Sequence, residues 1–285
     1  MRERMKPKDY KSGIPPVWCA GCGNYGALSA IYRALAALQI DPANLVNVSG
    51  IGCSSRMPYF LKAYKMHTLH GRAGPIATGL QLARPDLKVL VTGGDGDGFS
   101  IGGGHMPHLG RSNVNLTYVL MDNHIYGLTK GQFSPTSRRE MKSYTTPYGG
   151  IEEPMRPLLY MLTYGASYVA QAYAGNAIMS AELIKGGLEH QGMAYIHLLS
   201  QCPTFNKMDT ADYFKSIIKE IPASHDTSDL RKAMRLIYKF KDKEPVGLLY
   251  QTRRPTLDEC MAGLVEQAGG SKEYDIHKII DLARP

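Results

Sequence analysis

Two short apolar runs fix most of what this 285-residue chain can become. Lys88-Val89-Leu90-Val91-Thr92 and Leu116-Thr117-Tyr118-Val119-Leu120-Met121 are rich in β-branched and aromatic residues and nearly free of charge, the pattern of strands covered on both faces. Each run ends on residues that bend or ligate. The first delivers Gly93-Gly94-Asp95-Gly96-Asp97 and the second Asp122-Asn123, so two oxygen donors, Asp95 and Asn123, stand 28 positions apart at strand ends. In a parallel α/β sheet two such ends can hold one ion between them.

The residue types suit a metal-bound phosphate. Mg²⁺ takes hard oxygen ligands in near-octahedral geometry and shares its sites with substrate phosphates, so one carboxylate, one amide oxygen and a diphosphate suffice. Glycines at 93, 94, 96 and 98 allow close backbone approach, and a helix expected to start near Ser100 to Gly104 would add its N-terminus. A generic nucleotide-binding turn is the plainer alternative. The pattern is not G-x-G-x-x-G, however, and a nucleotide turn leaves the second donor unexplained.

A chain of this length can bury a sizeable core, and its 44% hydrophobic and 20% charged content is that of an ordinary globular protein. The net charge of +8 is carried by scattered residues with no aromatic-interleaved basic stripe, which argues against nucleic acid. The charged start Met1-Arg2-Glu3-Arg4 leads into no apolar h-region, and no run approaches bilayer length; a soluble cytoplasmic protein away from membranes is expected.

Four of the five cysteines stand at turns. Trp18-Cys19-Ala20-Gly21-Cys22 is a C-x-x-C loop opening into a helix over Tyr25 to Leu38, Cys53 follows the short strand Leu45 to Val48, and Cys202-Pro203 follows a strand over Met193 to Leu199. By spacing alone Cys19 and Cys22 fit a thioredoxin-type redox pair or half a zinc site. Together the segments bring four thiols to one side of one sheet, which in a reducing compartment means zinc or an iron–sulfur cluster. Cys260, in an amphipathic helix-like stretch, reads as an ordinary buried or half-buried thiol. His70 and Arg72, just past another strand end, are placed to meet an anionic cofactor or substrate, though a satisfied structural His is the commoner case. His105 and His108 share a helix face without a third ligand and read as packing or orientation groups. Tyr126 to Ser137 reads as a polar loop over an active site with Lys130 at its centre, and 138 to 164 as a long surface connection. Residues 1–203 form the expected α/β domain, and 204–285 a C-terminal extension docking on the core or a partner, with helices near 226 to 240 and beyond a strand over Val246 to Gln251.

The Gly-Asp-Gly turn followed one βαβ length later by Asp122-Asn123 resembles the thiamine diphosphate signature. Taken with the four cysteines, residues 17 to 205 resemble the β subunit of the 2-oxoacid:ferredoxin oxidoreductases. The resemblance implies a parallel-sheet, pyrophosphate-type thiamine diphosphate fold. It implies that Cys19, Cys22, Cys53 and Cys202 ligate a 4Fe-4S cluster, and that Asp95, Asn123 and the main-chain carbonyl of Ile125 hold Mg²⁺. Gly94, Gly96, Asp97, Ile51, Gly52, Gly127, Leu128 and Thr129, with Cys53, would line the thiamine diphosphate. Ala20 and Asn24 depart from the family's usual proline and histidine without removing a ligand.

The implied reaction is oxidative decarboxylation of a 2-oxoacid to acyl-coenzyme A and CO₂, or its reverse, with electrons leaving to ferredoxin. The glutamate that activates the cofactor comes from the α subunit in this family, so activity would need that partner in an αβ or (αβ)₂ assembly. The Thr129-Lys130-Gly131-Gln132 loop looks like that of the 2-oxoglutarate and broad 2-oxoacid members, with Lys130 on a substrate acid group and His70 and Arg72 nearby. A pyruvate or broad-specificity enzyme is the alternative within the family, and a zinc-holding structural or electron-transfer subunit the alternative outside enzymes.

Overall fold

The computed structural model describes residues 4–240, 242–270 and 276–284. Its frame is one eight-stranded sheet, in spatial order β2-β1-β3-β4-β6-β5-β8-β7. The strands are β1 Leu45–Ser49, β2 Tyr64–His67, β3 Lys88–Gly94, β4 Leu116–Asp122, β5 Tyr168–Tyr173, β6 Met193–Leu199, β7 Ile218–Glu220 and β8 Glu244–Gln251. Around them lie α1 Asn24–Leu38, α2 Met57–Phe60, α3 Ala73–Ala83, α4 Met106–Ser112, α5 Pro157–Thr163, α6 Ala177–Glu189, α7 Ala211–Ile217, α8 Leu230–Phe240, α9 Leu257–Gln267 and α10 Ile276–Leu282. Strands β1 to β6 pair in parallel, as crossover helices between them require; β8 then runs antiparallel to β5, with β7 parallel beside it.

Alternation along each strand builds two cores. Leu90 of β3 packs with the small faces of α1 and α6, among them Ala27, Ala30, Ala34 and Ala181. Its neighbours Val89 and Val91 point to the other face and pack with Ala73, Leu109, Leu158 and Ala233 of α3, α4, α5 and α8. All seven residues of β4 are buried, and each fully covered aliphatic side chain there contributes roughly 1.5–3 kcal/mol.

The expected strands at 88–92, 116–121 and 193–199 are present. Two stretches differ from expectation. Asp97–Ile101 forms a single wide π turn and the α-helix proper begins only at Met106, because Gly102, Gly103 and Gly104 are poor helix formers. Within the supposed connection at 138 to 164, Pro157 starts α5, whose Leu158, Met161 and Leu162 pack on the sheet; seven residues are too few to show a helical period. The three-residue strand β7 carries no signal in the sequence at all.

The chain steps from β1 outward to β2 and returns to place β3 on the other side of β1. That reversal opens a crevice beyond the carboxyl ends of β1 and β3, the place where open α/β sheets bind ligands. Among the described residues no helix is long and apolar enough to cross a membrane.

Candidate active site at the strand ends

The crevice is a cavity of about 490 Å³. Its wall is Ile51, Gly52, Cys53 and Ser54 after β1, His70 after β2, Gly94 to Asp97 at the end of β3, and Asn123, Ile125 to Thr129 and Gln132 after β4. Every residue expected to bind the cofactor lies on it.

Asp97 braces the cavity rather than facing an open ligand. Its Oδ1 accepts from the backbone N–H of Ile51 (2.9 Å) and Gly71 (2.7 Å) and stands 3.0 Å from His70 Nδ1. One carboxylate thus ties together the loops after β1, β2 and β3. Gly96 is fixed by another constraint. A Cβ there would sit 2.2 Å from Cε1 of Tyr126, whose hydroxyl donates to the Gly96 carbonyl (3.2 Å).

Asp95 is 2% exposed and faces Thr136, whose Oγ1 lies 2.9 Å from Asp95 Oδ2 and 2.8 Å from Asp122 Oδ1. A hydroxyl has one hydrogen, so it cannot donate to two carboxylates at once. Burial first, and then the charge of Asp122, push the Asp95 carboxyl up to about 7. A protonated Asp95 donating to Thr136, which donates to Asp122, resolves the geometry. Asp122 is the ionised member. Burial alone would raise it, but His124 and His197 hold it at about 2, with His197 Nε2 3.0 Å from Asp122 Oδ2. A cation delivered to Asp95 would displace its proton, and Asn123 and Ile125 on the same wall supply further oxygens, so these residues fit an Mg²⁺ diphosphate.

The thiols gather at the edge of the same cavity. Gly23 N donates to Gln201 O (3.0 Å) and Gln201 Nε2 to Gly21 O (3.1 Å), which fastens the C-x-x-C loop to the segment carrying Cys202. Trp18 Nε1 donates to Cys53 O (2.6 Å) and holds the third segment. A methyl at Gly127 would lie 3.5 Å from Cys202 Sγ, 3.8 Å from Cys53 Sγ and 3.9 Å from Asn123 Nδ2, so one glycine touches both the thiols and the amide. Burial pushes Cys22 up to about 12, and the nearby thiols of Cys202, Cys53 and Cys19 add to it. A thiol buried as Cys22 is ionises only against a bound cation, and the four cysteines together are the donor set of a metal cluster. No three His, Cys, Asp or Glu side chains among the described residues come together tightly enough for a single ion. The fifth thiol, Cys260, is exposed in α9 and not buried or half-buried as its amphipathic stretch suggests, because α9 buries none of its residues.

The family of thiamine pyrophosphate enzymes, C-terminal TPP binding domain, matches residues 50–198, and the C-terminal family of the pyruvate ferredoxin oxidoreductase beta subunit matches 202–266. The 2-oxoacid:ferredoxin oxidoreductase 2, subunit beta, of Aeropyrum pernix is 39% identical over 284 residues, 94% of this chain and 92% of its own. The chain belongs to the β subunits of the 2-oxoacid:ferredoxin oxidoreductases. The 2-oxoglutarate synthase subunit KorB of Methanothermobacter marburgensis is 38% identical over 262 residues, 90% of each chain. A solved 2-oxoglutarate:ferredoxin oxidoreductase from Magnetococcus marinus, with 2-oxoglutarate, coenzyme A and succinyl-CoA bound, is 65% identical with a TM-score of 0.95, covering 99% of this chain and 97% of its own.

Within this oxidoreductase β subunit, the residues expected to meet substrate separate. His70 lines the cavity. Arg72 does not; its Nη1 donates to the carbonyls of Ile101 (3.1 Å) and Gly71 (3.3 Å). Lys130 also lies off the wall, exposed at the loop tip with φ 78°. His108 accepts from Arg111 Nε (3.1 Å), and His105 stands just ahead of α4 without a side-chain bond to its first turn. The polar cluster behind Asp95 escaped the sequence: Thr136 and Arg138, His124, His197 and Asp209 come from four separate stretches. Behind it lies a second cavity of about 550 Å³, walled in part by Asp122, Thr136, Arg138 and His197. None of these residues sits at a recognisable spacing from another.

Proposed function

We propose that this β subunit binds thiamine diphosphate, Mg²⁺ and a 4Fe-4S cluster for the oxidative decarboxylation of 2-oxoglutarate to succinyl-CoA and CO₂, or its reverse, with ferredoxin as electron partner. One observation carries the reading: Gly127 stands against Cys53, Cys202 and Asn123 together, so the thiol site and the diphosphate site share a wall. Asp95, Asn123 and the Ile125 carbonyl would hold Mg²⁺, and Cys19, Cys22, Cys53 and Cys202 the cluster. When bound, the thiazolium supplies the carbanion chemistry and the cluster accepts single electrons. The chain's own residues position and insulate. Asp97 fixes three loops and Tyr126 closes over Gly96.

The 65% identity to an enzyme holding 2-oxoglutarate and coenzyme A supports those substrates. Lys130, exposed at its loop tip, reaches a substrate acid group when the partner α chain covers the cavity, while His70 faces the reacting end. Arg72 acts on the wall through its carbonyl bonds. We read 1–203 as the cofactor-bearing unit and 204–285 as the extension that docks on it, consistent with β8 pairing to β5. The five free cysteines suit a reducing cytoplasm.

Anaerobic co-purification with the α subunit, as αβ or (αβ)₂, followed by iron, sulfide, zinc and thiamine diphosphate analysis tests the cofactor set; zinc without iron would sink it. Steady-state rates of that complex on 2-oxoglutarate and pyruvate test the substrate, and faster turnover of pyruvate would reject 2-oxoglutarate.

A further inference from the structure

Cys202 and Asn123 leave the sheet from adjacent strands, β6 and β4, and the chain beyond Cys202 folds back over the loop that begins at Asn123. The return starts with Asn206 N donating to Cys202 O (3.1 Å). Asn206 is 2% exposed and uses its whole side chain. Its Oδ1 accepts from the backbone N–H of Met208 (3.0 Å) and Asp209 (2.9 Å), which closes a tight turn. Its Nδ2 donates to the carbonyl of Asn123 (3.0 Å) and to Asp209 Oδ2 (2.8 Å). Asp209, fully buried, in turn sets Oδ2 3.0 Å from His124 Nδ1 and Oδ1 2.8 Å from Arg138 Nε.

The object held is unusual. His124 has φ 55°, in the left-handed region that few residues other than glycine enter, and this bend aims Asn123 and Ile125 at the cavity. Such a conformation persists only where the surroundings impose it. Here the imposing groups grip the Asn123 carbonyl and the His124 ring, and both come from the segment that starts at a cluster cysteine. Neither Asn206 nor Asp209 lines the diphosphate cavity, so they act through the loop and not on a ligand.

We propose that Asn206 and Asp209 are positioning residues that couple the four-cysteine site to the diphosphate site. Fixing Cys202 orders the turn to Asp209, and the turn orders the Asn123–Ile125 loop. Coupling between two binding events is reciprocal, so an intact cluster tightens thiamine diphosphate binding and bound diphosphate protects the cluster. The proposal rests on the site assignments made under the proposed function.

The test uses the complex with its α subunit, purified anaerobically. The dissociation constant of thiamine diphosphate with Mg²⁺ is measured by calorimetry for the native complex, Asn206→Ser and Asp95→Ala, each with its cluster and after oxidative removal of the iron. Serine keeps a turn-closing oxygen but is too short to reach Asn123. Cluster removal should weaken binding to the native complex by roughly tenfold, about the loss of one well-placed hydrogen bond. Asn206→Ser should start roughly tenfold weaker, show the native visible spectrum and iron content, and lose little more on cluster removal. Native affinity in Asn206→Ser, or an equal loss on cluster removal in both proteins, overturns the coupling. Should Asn206→Ser fail to assemble, Asp209→Asn goes through the same cycle with the same expected and overturning results. Unchanged affinity in Asp95→Ala would instead bring down the site assignment itself, and the coupling with it.

Discussion

The two ends of the sheet bury polar groups to opposite effect. At the amino ends of β5 and β6, Asn113 makes a closed set of bonds: Nδ2 donates to the carbonyls of Arg254 and Pro255 (3.1 Å each), while Oδ1 accepts from Ser167 Oγ (2.6 Å) and Met193 N (2.9 Å). Arg254 Nη2 adds bonds to the carbonyls of Gly110 (2.9 Å) and Gly165 (2.7 Å), and its Nε is the one atom of this set left buried without a partner. At the carboxyl ends Asp95 shares one hydroxyl with Asp122, Asp97 Oδ2 is buried without a hydrogen-bond partner, and Cys22 lies near enough to Cys202, Cys53 and Cys19 to feel their charge. Burial of polar groups alone therefore does not mark a site. Groups left with unmet demand at the end that the topology opens do.

Substitutions at the carboxyl end should remove ligands and spare the fold, and those at the other end the reverse. The largest effect is expected from Asp95→Ala, with loss of at least about 100-fold in thiamine diphosphate affinity and an unchanged cluster spectrum, since the metal loses its carboxylate. Cys202→Ser should lose the cluster spectrum while the protein still assembles with its partner. Gly96→Ala drives a methyl into the Tyr126 ring and should weaken diphosphate binding by roughly tenfold, read by calorimetry, with a small change in melting temperature. If Gly96→Ala binds as the native protein does, Tyr126 moves freely and the wall is softer than described.

The same contrast explains what the sequence disclosed. Strands β3, β4 and β6 were legible because buried parallel strands are short runs of β-branched residues, and Asp95, Asn123 and the thiols were legible because they sit at the ends of those runs. Arg72 and Asp97 look like ligand groups in sequence because charge past a strand end is all that spacing reports. Only the folded chain shows that Arg72 is bonded to the carbonyls of Ile101 and Gly71 and that Asp97 holds amides from two other loops. Thr136, His197 and Asp209 are invisible for a related reason. Their partners lie 14, 75 and 85 positions away, and no local pattern encodes a contact at that range.

At the amino end, Asn113→Ala should cost roughly 2–4 kcal/mol, because it strips several buried bonds and leaves the Ser167 hydroxyl hydrogen and the Met193 amide without their acceptor. Asn113 also ends α4 at φ 50°, a left-handed position that alanine tolerates less well. Chemical denaturation should register the loss while thiamine diphosphate affinity in the folded complex stays native. A fall in affinity would mean that the two ends are not separable.

A modest effect is the pH dependence that the amino end contributes through His190. Ser167 Oγ donates to Asn113 Oδ1, so the contact with His190 Nε2 (2.7 Å) needs the ring to donate, which a neutral imidazole with its proton on Nε2 does. Burial first, and then the charge of Arg253, lower His190 to about 4. Between that value and the ordinary histidine value of about 6.5, the unfolded chain binds more protons than the folded one. Stability from this residue is therefore complete above pH ~6.5 and is lost as the pH falls toward 4, by roughly 1–2 kcal/mol after allowance for partial solvation. His190→Gln removes the titrating ring while keeping a donor toward Ser167. Unfolding free energies of the native protein and this variant, compared at pH 7.5 and 5, should differ in slope, with the variant flatter. Identical slopes would assign the acid sensitivity to the carboxyl end and reverse the contrast between the two.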